Sequence, residues 1–464
     1  MGKTFKIKIL DSVHCQADSQ ARQLILPCLT VSTETRIRTE EGLRPGVKQE
    51  YLISGFKNTS GLFFTGLLPR VKKYIKAKKL PIVIKGREEK IKPKQKMPVL
   101  TGIKFWTPQL KAIKKACRKG RGQIVLPTGS GKTVIALGLF FCFSSCVRLF
   151  LCHTKDLYYQ TIEELKKYKF KNVIEIKTNT NWNEVKKVKN PILISLVQSF
   201  AKIDIDNYID FLDMIIVDEV HHVNSERSQY GKILQSTLAP LRFGLTATPD
   251  PNTKKAMLSE GLLGPVIYRL TTEEGVKNGM IAKPKINLEV VPYDVEINKI
   301  CAFKYKNFYD YGIINNLYRN KKIIEIARKC YNEKGASLIL IERTEHGEVL
   351  QKLFLKAGIK VPFVFGKTSS VERAKVKEDL LSGKIRIAIA SRIWKEGLNI
   401  PNLTSVINAH GYKDEKGVIQ VLGRGLRRTK TKKEIVLTDF LDPYKYLAEH
   451  TVSRIQTYRR EGWI

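Results

Sequence analysis

The chain has 464 residues, 43% of them hydrophobic and 27% charged, and its 82 Lys and Arg against 44 Asp and Glu give a formal net charge of +38. Such a composition excludes a disordered chain and a single simple core; it calls for two or three folded domains and a polyanionic partner. No run of about 20 apolar residues is present to span a bilayer, the start shows no signal-peptide core, and the eight cysteines form no C-x-x-C pair, so a membrane protein, a disulfide scaffold and a zinc module are set aside in favour of a reducing cytoplasm.

In chain order, residues 1–97 are expected to form a small basic α/β domain. Phe5-Lys6-Ile7-Lys8-Ile9 alternates like a strand, and a second strand is expected within 23–31. Pro69 suits the first turn of a lysine-rich helix whose apolar stripe is Val71, Tyr74 and Ile75, and 80–84 reads as a strand. With 21 Lys and Arg against 8 Asp and Glu in the first 100 residues, this block is expected to touch nucleic acid. The stretch 90–98 is too charged and proline-broken to pack, and reads as a linker.

From 98 to 282 strands and helices alternate, the pattern of a parallel sheet covered by helices. The strand candidates 124–126, 149–152, 192–194, 214–217 and 243–245 are nearly continuous apolar runs, which suits strands buried on both faces. In open sheets of this kind ligands bind at the carboxyl ends of the strands. After the first of them comes Leu126-Pro127-Thr128-Gly129-Ser130-Gly131-Lys132-Thr133. Glycines let backbone N–H groups close on phosphate oxygens, Lys132 reaches the β- and γ-phosphates, and the Thr133 hydroxyl takes a place on Mg²⁺. Leu126 stands where the pattern G-x-x-x-x-G-K-[ST] has glycine.

Asp218-Glu219-Val220-His221 follows an apolar strand. Adjacent carboxylates there have separable tasks: Asp218 holds Mg²⁺, and Glu219 orients and deprotonates an attacking water. His221, with His222 beside it, is expected to couple the nucleotide site to a substrate groove rather than to bind metal.

The region 283–464 repeats the alternation, with strand candidates 337–341, 385–390, 405–407 and 435–437, but has no glycine loop. It is therefore expected to complete the first site rather than to hold a second one. Arg424 and Arg427 lie three apart, so a helix would put both on one face, where they would neutralise charge on the γ-phosphate. Gln420 belongs to the same cluster.

Taken in order, Thr-Gly-Ser-Gly-Lys-Thr, Asp-Glu-Val-His, Leu245-Thr246-Ala247-Thr248-Pro249 and Gln420-x-x-Gly423-Arg424-x-x-Arg427 resemble motifs I, II, III and VI of superfamily 2 helicases of the DExH branch. Gln109 resembles the adenine-reading glutamine, His153-Thr154 motif Ia, Ser199 motif Ib and Arg343 motif IV. Lys395-Glu396-Gly397-Leu398-Asn399 resembles motif V, with Asn399 where aspartate is usual. The tail His450-x-x-x-Arg454-x-x-x-Tyr458 with Glu461-Gly462-Trp463 is similar to that of phage UvsW-type helicases, which remodel branched DNA. The resemblance implies two tandem RecA-like domains, 98–282 and 283–464, behind the basic N-terminal domain.

It also implies an ATP-dependent DNA helicase or translocase that unwinds or branch-migrates branched DNA, with ATP and Mg²⁺ as cofactors. Glu219, Lys132, Gln420, Arg424 and Arg427 would be catalytic. Gln109, Pro127, Thr128, Gly129, Ser130, Gly131, Lys132, Thr133, Asp218 and Gly397 would bind nucleotide. His153, Thr154, Ser199, His221, Thr246, Thr248 and Arg343 would contact nucleic acid or couple it to ATP. The partner would be branched or duplex DNA held by its backbone, and the protein would be monomeric or weakly associating in the cytoplasm, a host's if phage-encoded. An RNA helicase, the motor of a restriction or repair complex, and a non-catalytic basic module are the alternatives.

Overall fold

The structure, a computed structural model, describes residues 4–39, 42–52, 60–247, 254–301, 304–391, 400, 402–413 and 434–464. Two compact units emerge: residues 1–126 with 131–270, and residues 271–464 with the four loop residues 127–130.

The first unit begins with a four-stranded mixed sheet in the order β5-β2-β1-β6, where β1 is Phe5–Ile9, β2 His14–Ala17, β5 Leu62–Phe64 and β6 Ile82–Lys85. Helix α1 (Ser19–Ile25) and then a 3₁₀ turn (Leu26–Leu29) occupy most of the stretch expected as a second strand; β3 (Thr30–Thr39) starts only at its end and pairs with β4 (Gly42–Leu52). The reason is local. Asp18 caps the helix by accepting from the Ala21 N–H at 2.7 Å, and Pro27 sits where the helix tightens into the turn. Helix α2 (Leu68–Lys78) carries Pro69 in its first turn, as the sequence leads one to expect.

This sheet shares a core with the rest of its unit. Ile7, Phe63, Leu67 and Val71 belong to one buried cluster with Leu149, Ile215, Met257 and Leu262. The contact is close at Gly66, where an added Cβ would collide with the carbonyl oxygens of Glu260 and Gly261. Beside it Arg70 grips the Glu260 carboxylate through two hydrogen bonds, Nη2 at 2.5 Å and Nε at 3.2 Å. Because both obstructing atoms are backbone, Gly66→Ala is expected to cost about 1–3 kcal/mol, read as a lowered urea midpoint. An unchanged midpoint would mean that the two surfaces are not tightly apposed.

The second sheet of this unit has seven strands, all parallel, in the order β13-β7-β12-β11-β8-β10-β9. Its strands are β7 (Arg121–Val125), β8 (Arg148–Cys152), β9 (Val173–Ile176), β10 (Ile192–Leu196), β11 (Met214–Asp218), β12 (Leu241–Thr246) and β13 (Val266–Arg269). Residues 121–125, 148–152, 214–218 and 241–246 are buried throughout, as an inner strand with helices on both faces must be.

The second unit has its own parallel sheet of six strands, ordered β14-β19-β18-β15-β17-β16. They are β14 (Lys283–Val290), β15 (Ala336–Leu340), β16 (Phe363–Val364), β17 (Ile387–Ala390), β18 (Leu403–Asn408) and β19 (Glu434–Leu441). The expected α/β class with two tandem parallel sheets is thus what the chain forms. Among the described residues no helix is long and apolar enough to cross a membrane.

Candidate active site

Parallel pairing lines up the carboxyl ends of five neighbouring strands. Val125 of β7 pairs with Thr246 of β12, Leu245 with Asp218 of β11, Val217 with Leu151 of β8, and Cys152 with Leu196 of β10. The loops that follow these residues are the glycine loop, the segment after Thr246, Asp-Glu-Val-His, His153-Thr154 and the Ser199 turn. Topology alone gathers them on one edge.

The glycine loop leaves β7 through Leu126, which is fully buried and donates its N–H to the Thr246 carbonyl at 2.9 Å. That residue packs rather than cradles, so leucine serves there. Gly129 and Gly131 have φ of +85° and +84°, a region an L side chain rarely adopts. A Cβ on Gly131 would also lie 2.5 Å from Gln109 Nε2. Gln109, in the first turn of helix α3 (Thr107–Lys119), is itself buried, and its Oε1 accepts from the Trp106 N–H at 3.0 Å, so the side chain is fixed against the loop. The Ser130 hydroxyl donates to the Pro127 carbonyl at 2.6 Å and closes the turn. Helix α4 (Lys132–Cys142) starts at once, with half-buried Lys132 and Thr133 as its first residues.

Lys132 Nζ lies 2.9 Å from Glu219 Oε1. Glu219 holds a left-handed backbone (φ +52°), an uncommon and strained conformation for a residue other than glycine. Its N–H donates to Asp218 Oδ1 at 2.9 Å, which ties the two carboxylates together at the strand end. On the other side His221 Nδ1 is 3.3 Å from Glu219 Oε2, without hydrogen-bond geometry between them. Burial pushes the Glu219 carboxyl up, but the Lys132 ammonium and His221 outweigh it and hold the group well below the usual carboxylate range. Glu219 is therefore an anion at neutral pH. Glu219 Oε2, His221 Nδ1 and Thr128 Oγ1 are buried polar atoms with no hydrogen-bond partner. A polar triphosphate with a divalent cation would fit residues arranged in this way.

Three imidazoles extend from this point. His221 and His222 rings are 4.3 Å apart, and His222 stacks on His153 at 3.8 Å with only 16° between the planes. The His153 carbonyl accepts from Gln198 Nε2 at 3.2 Å, in the same short helix (Val197–Phe200) as half-buried Ser199. His222 thus bridges His221 and His153, a role that only the adjacent His-His pair hinted at. Thr154 caps α5 (Lys155–Lys167) by accepting from the Leu157 N–H at 3.4 Å, which gives it a structural task. Thr246 is buried at the end of β12.

In the second unit Arg343 precedes the helix Thr344–Lys356, donates to Asp310 Oδ1 at 2.7 Å and lies 4.5 Å over the Tyr309 ring. Thr248, Gly397, Asn399, Gln420, Arg424 and Arg427 lie outside the described residues.

Comparison with known proteins adds two family matches: "Type III restriction enzyme, res subunit" over residues 102–251 and "Helicase conserved C-terminal domain" over 319–429. The chain is 28% identical over 424 residues to the DNA 3'-5' translocase XPB2 of Sulfurisphaera tokodaii, across 83% of this chain and 90% of the relative. It is 25% identical over 399 residues to the ATP-dependent DNA helicase uvsW of Enterobacteria phage T4, across 79% of this chain and 78% of the relative. Among solved structures, the helicase domain of Pyrococcus furiosus Hef superposes with a TM-score of 0.54 at 16% identity, covering 77% of this chain and 100% of that one.

Proposed function

The chain belongs to superfamily 2 of the ATP-dependent helicases, and from that premise we propose that it is a DNA translocase that unwinds or branch-migrates branched DNA, monomeric or weakly associating, in the cytoplasm. The observation that carries the reading is the Lys132–Glu219 pair at 2.9 Å, set beside Asp218 on the edge where the glycine loop opens. Lys132 has two anions to choose between, Glu219 and the β- and γ-phosphates of ATP. Once phosphate draws Lys132 away, Glu219 loses its strongest counter-charge and becomes a better base. The general base is in this way restrained until substrate arrives.

Gln109 reads adenine, the 127–133 loop with Gly397 holds the nucleotide, and Gln420, Arg424 and Arg427 act on the γ-phosphate. Thr133 and Asp218 would hold Mg²⁺, which spreads the charge of the phosphates when bound. The His221, His222 and His153 rings link Glu219 to the turn carrying Ser199, a backbone-phosphate contact, while Thr246, Thr248 and Arg343 couple the two activities. A net charge of +38 supports a nucleic-acid track. That the two relatives above are named as DNA motors supports DNA over RNA. Steady-state ATP turnover with single-stranded DNA, duplex, a four-way junction and RNA tests the proposal. Junction DNA is expected to stimulate most; stimulation by RNA with none by the junction would overturn it.

A further inference from the structure

At the opposite end of the seven-stranded sheet from Lys132 lies a cavity of about 580 Å³. Its floor is where β8 and β10 begin, at Arg148 and Ile192, and its walls are the last turns of α4 and α5 with the segment 99–101. The lining holds Lys167, Lys169, Lys171, Lys189 and Arg148 but no carboxylate. All four lysines are exposed at the rim. A basic residue in the last turn of a helix commonly answers the helix dipole, and Lys167 does so on α5. Lys169 and Lys189 come directly after the helix caps Tyr168 and Val188 and share that explanation in part, but Lys171 lies beyond it, and no helix dipole accounts for four lysines gathered round one cavity.

A second observation comes from the floor. Arg148 is only 4% exposed. It donates from Nη1 to the Phe140 carbonyl at 2.8 Å and from Nη2 to the Asn190 carbonyl, yet its buried Nε has no partner. Burial pushes the guanidinium down to about 10, which still leaves it charged at neutral pH. An unpaired buried donor at the base of a cationic cavity is costly unless an acceptor reaches it. Phe141, Tyr168 and Phe170 supply aromatic surface in the same lining, half-buried rather than sealed in the core. Cations that track a backbone beside aromatic faces that stack bases are the combination by which single strands are held.

We infer that this cavity is a second nucleic-acid site, remote from the ATP edge, which takes single-stranded DNA by a base against Tyr168 and Phe170 and by flanking phosphates on Lys169, Lys171 and Lys189. It rests on the nucleic-acid reading above and adds a grip on a strand leaving the motor. The test compares the full chain with Lys169→Glu/Lys171→Glu/Lys189→Glu, using fluorescence anisotropy of a labelled oligo-dT. The variant is expected to bind about ten-fold more weakly at low salt, and the plot of log K against log salt is expected to be shallower by about 2, three phosphate contacts' worth. Unstimulated ATP turnover stays unchanged. Tyr168→Ala weakens binding without altering the salt slope, and a 4-thiothymine oligonucleotide cross-links to Tyr168 or Phe170 in the parent. Parental affinity and slope in the triple variant would overturn the site, as would a poly-aspartate peptide that the cavity captures while DNA binding is untouched. A parent that binds no DNA would sink the functional reading as well; a parent stimulated by DNA with a variant that binds like it sinks only the cavity.

Discussion

Glu219→Gln is expected to lower ATP turnover by about 10²–10⁴-fold, the range for loss of a general base, while nucleotide binding persists. The substitution is nearly isosteric and removes only the charge. In the free protein Lys132 is engaged with Glu219 at 2.9 Å, so a neutral amide at 219 frees the ammonium for phosphate and ATP should bind as well as before or more tightly. Phosphate release gives the first quantity and fluorescent-nucleotide titration the second. The pH dependence has a definite sign. A carboxyl held well below its usual range is the active, deprotonated form throughout ordinary pH, and activity is lost only as pH falls through that depressed value. The acid limb of kcat/KM assigned to Glu219 therefore lies below pH 4, and the profile from pH 5.5 to 8 carries no step from this group. Turnover within ten-fold of the parent would remove Glu219 from the role of base.

In the two parallel sheets the strands that stand out in the sequence are the inner ones; the N-terminal sheet does not follow this, since its edge strand β6 stands out and its inner strand β2 does not. The apolar runs 124–126, 149–152, 192–194, 214–217 and 243–245 all mark inner strands of the seven-stranded sheet; β9 and β13, unforeseen, are its two edges. The six-stranded sheet repeats the division: β15, β17, β18 and β19 are legible in the sequence, and its edges β14 and β16 are not. An inner strand covered by helices on both faces must be apolar at every position, and such a run stands out. An edge strand such as Val173-Ile174-Glu175-Ile176 or Val266-Ile267-Tyr268-Arg269 is only partly buried, so its β-prone residues make a short run that Glu175 breaks or Arg269 ends, and it stands out less than an inner strand. The nucleotide residues were legible because their chemistry is written locally, glycines before Lys132 and paired carboxylates after an apolar run. The His222–His153 stack joins residues 69 positions apart and depends on β11 lying beside β8, which no local pattern announces.

Asp439→Asn is expected to destabilise the second unit by about 3–5 kcal/mol, the cost of breaking a buried ion pair from one side. The tail residues Arg454 and Tyr458 stand out in sequence only as a likeness of spacing; in the structure they lie one turn apart on the helix Lys445–Arg460 and converge on Asp439. Asp439 Oδ2 accepts from Arg454 Nε at 2.8 Å and from the Tyr458 hydroxyl at 2.6 Å, while Oδ1 accepts from Asn408 Nδ2 at 3.1 Å and the Phe440 N–H at 2.8 Å. Both charged partners are about 1% exposed, so water cannot replace what is removed. Asp442 is a poor substitute: it lies 3.8 Å from Arg454, burial pushes its carboxyl up to about 6, and neither of its oxygens has a hydrogen-bond partner. Asp442→Asn should accordingly cost less than Asp439→Asn. Removing both charges, in Asp439→Asn with Arg454→Met, should recover part of the loss because no uncompensated guanidinium then remains in the core. Denaturant unfolding of these three variants, of Arg454→Met alone and of the parent decides this. Equal losses for Asp439→Asn and Asp442→Asn, or a double variant whose loss is the sum of its parts, would show that the tail helix is not held by this pair.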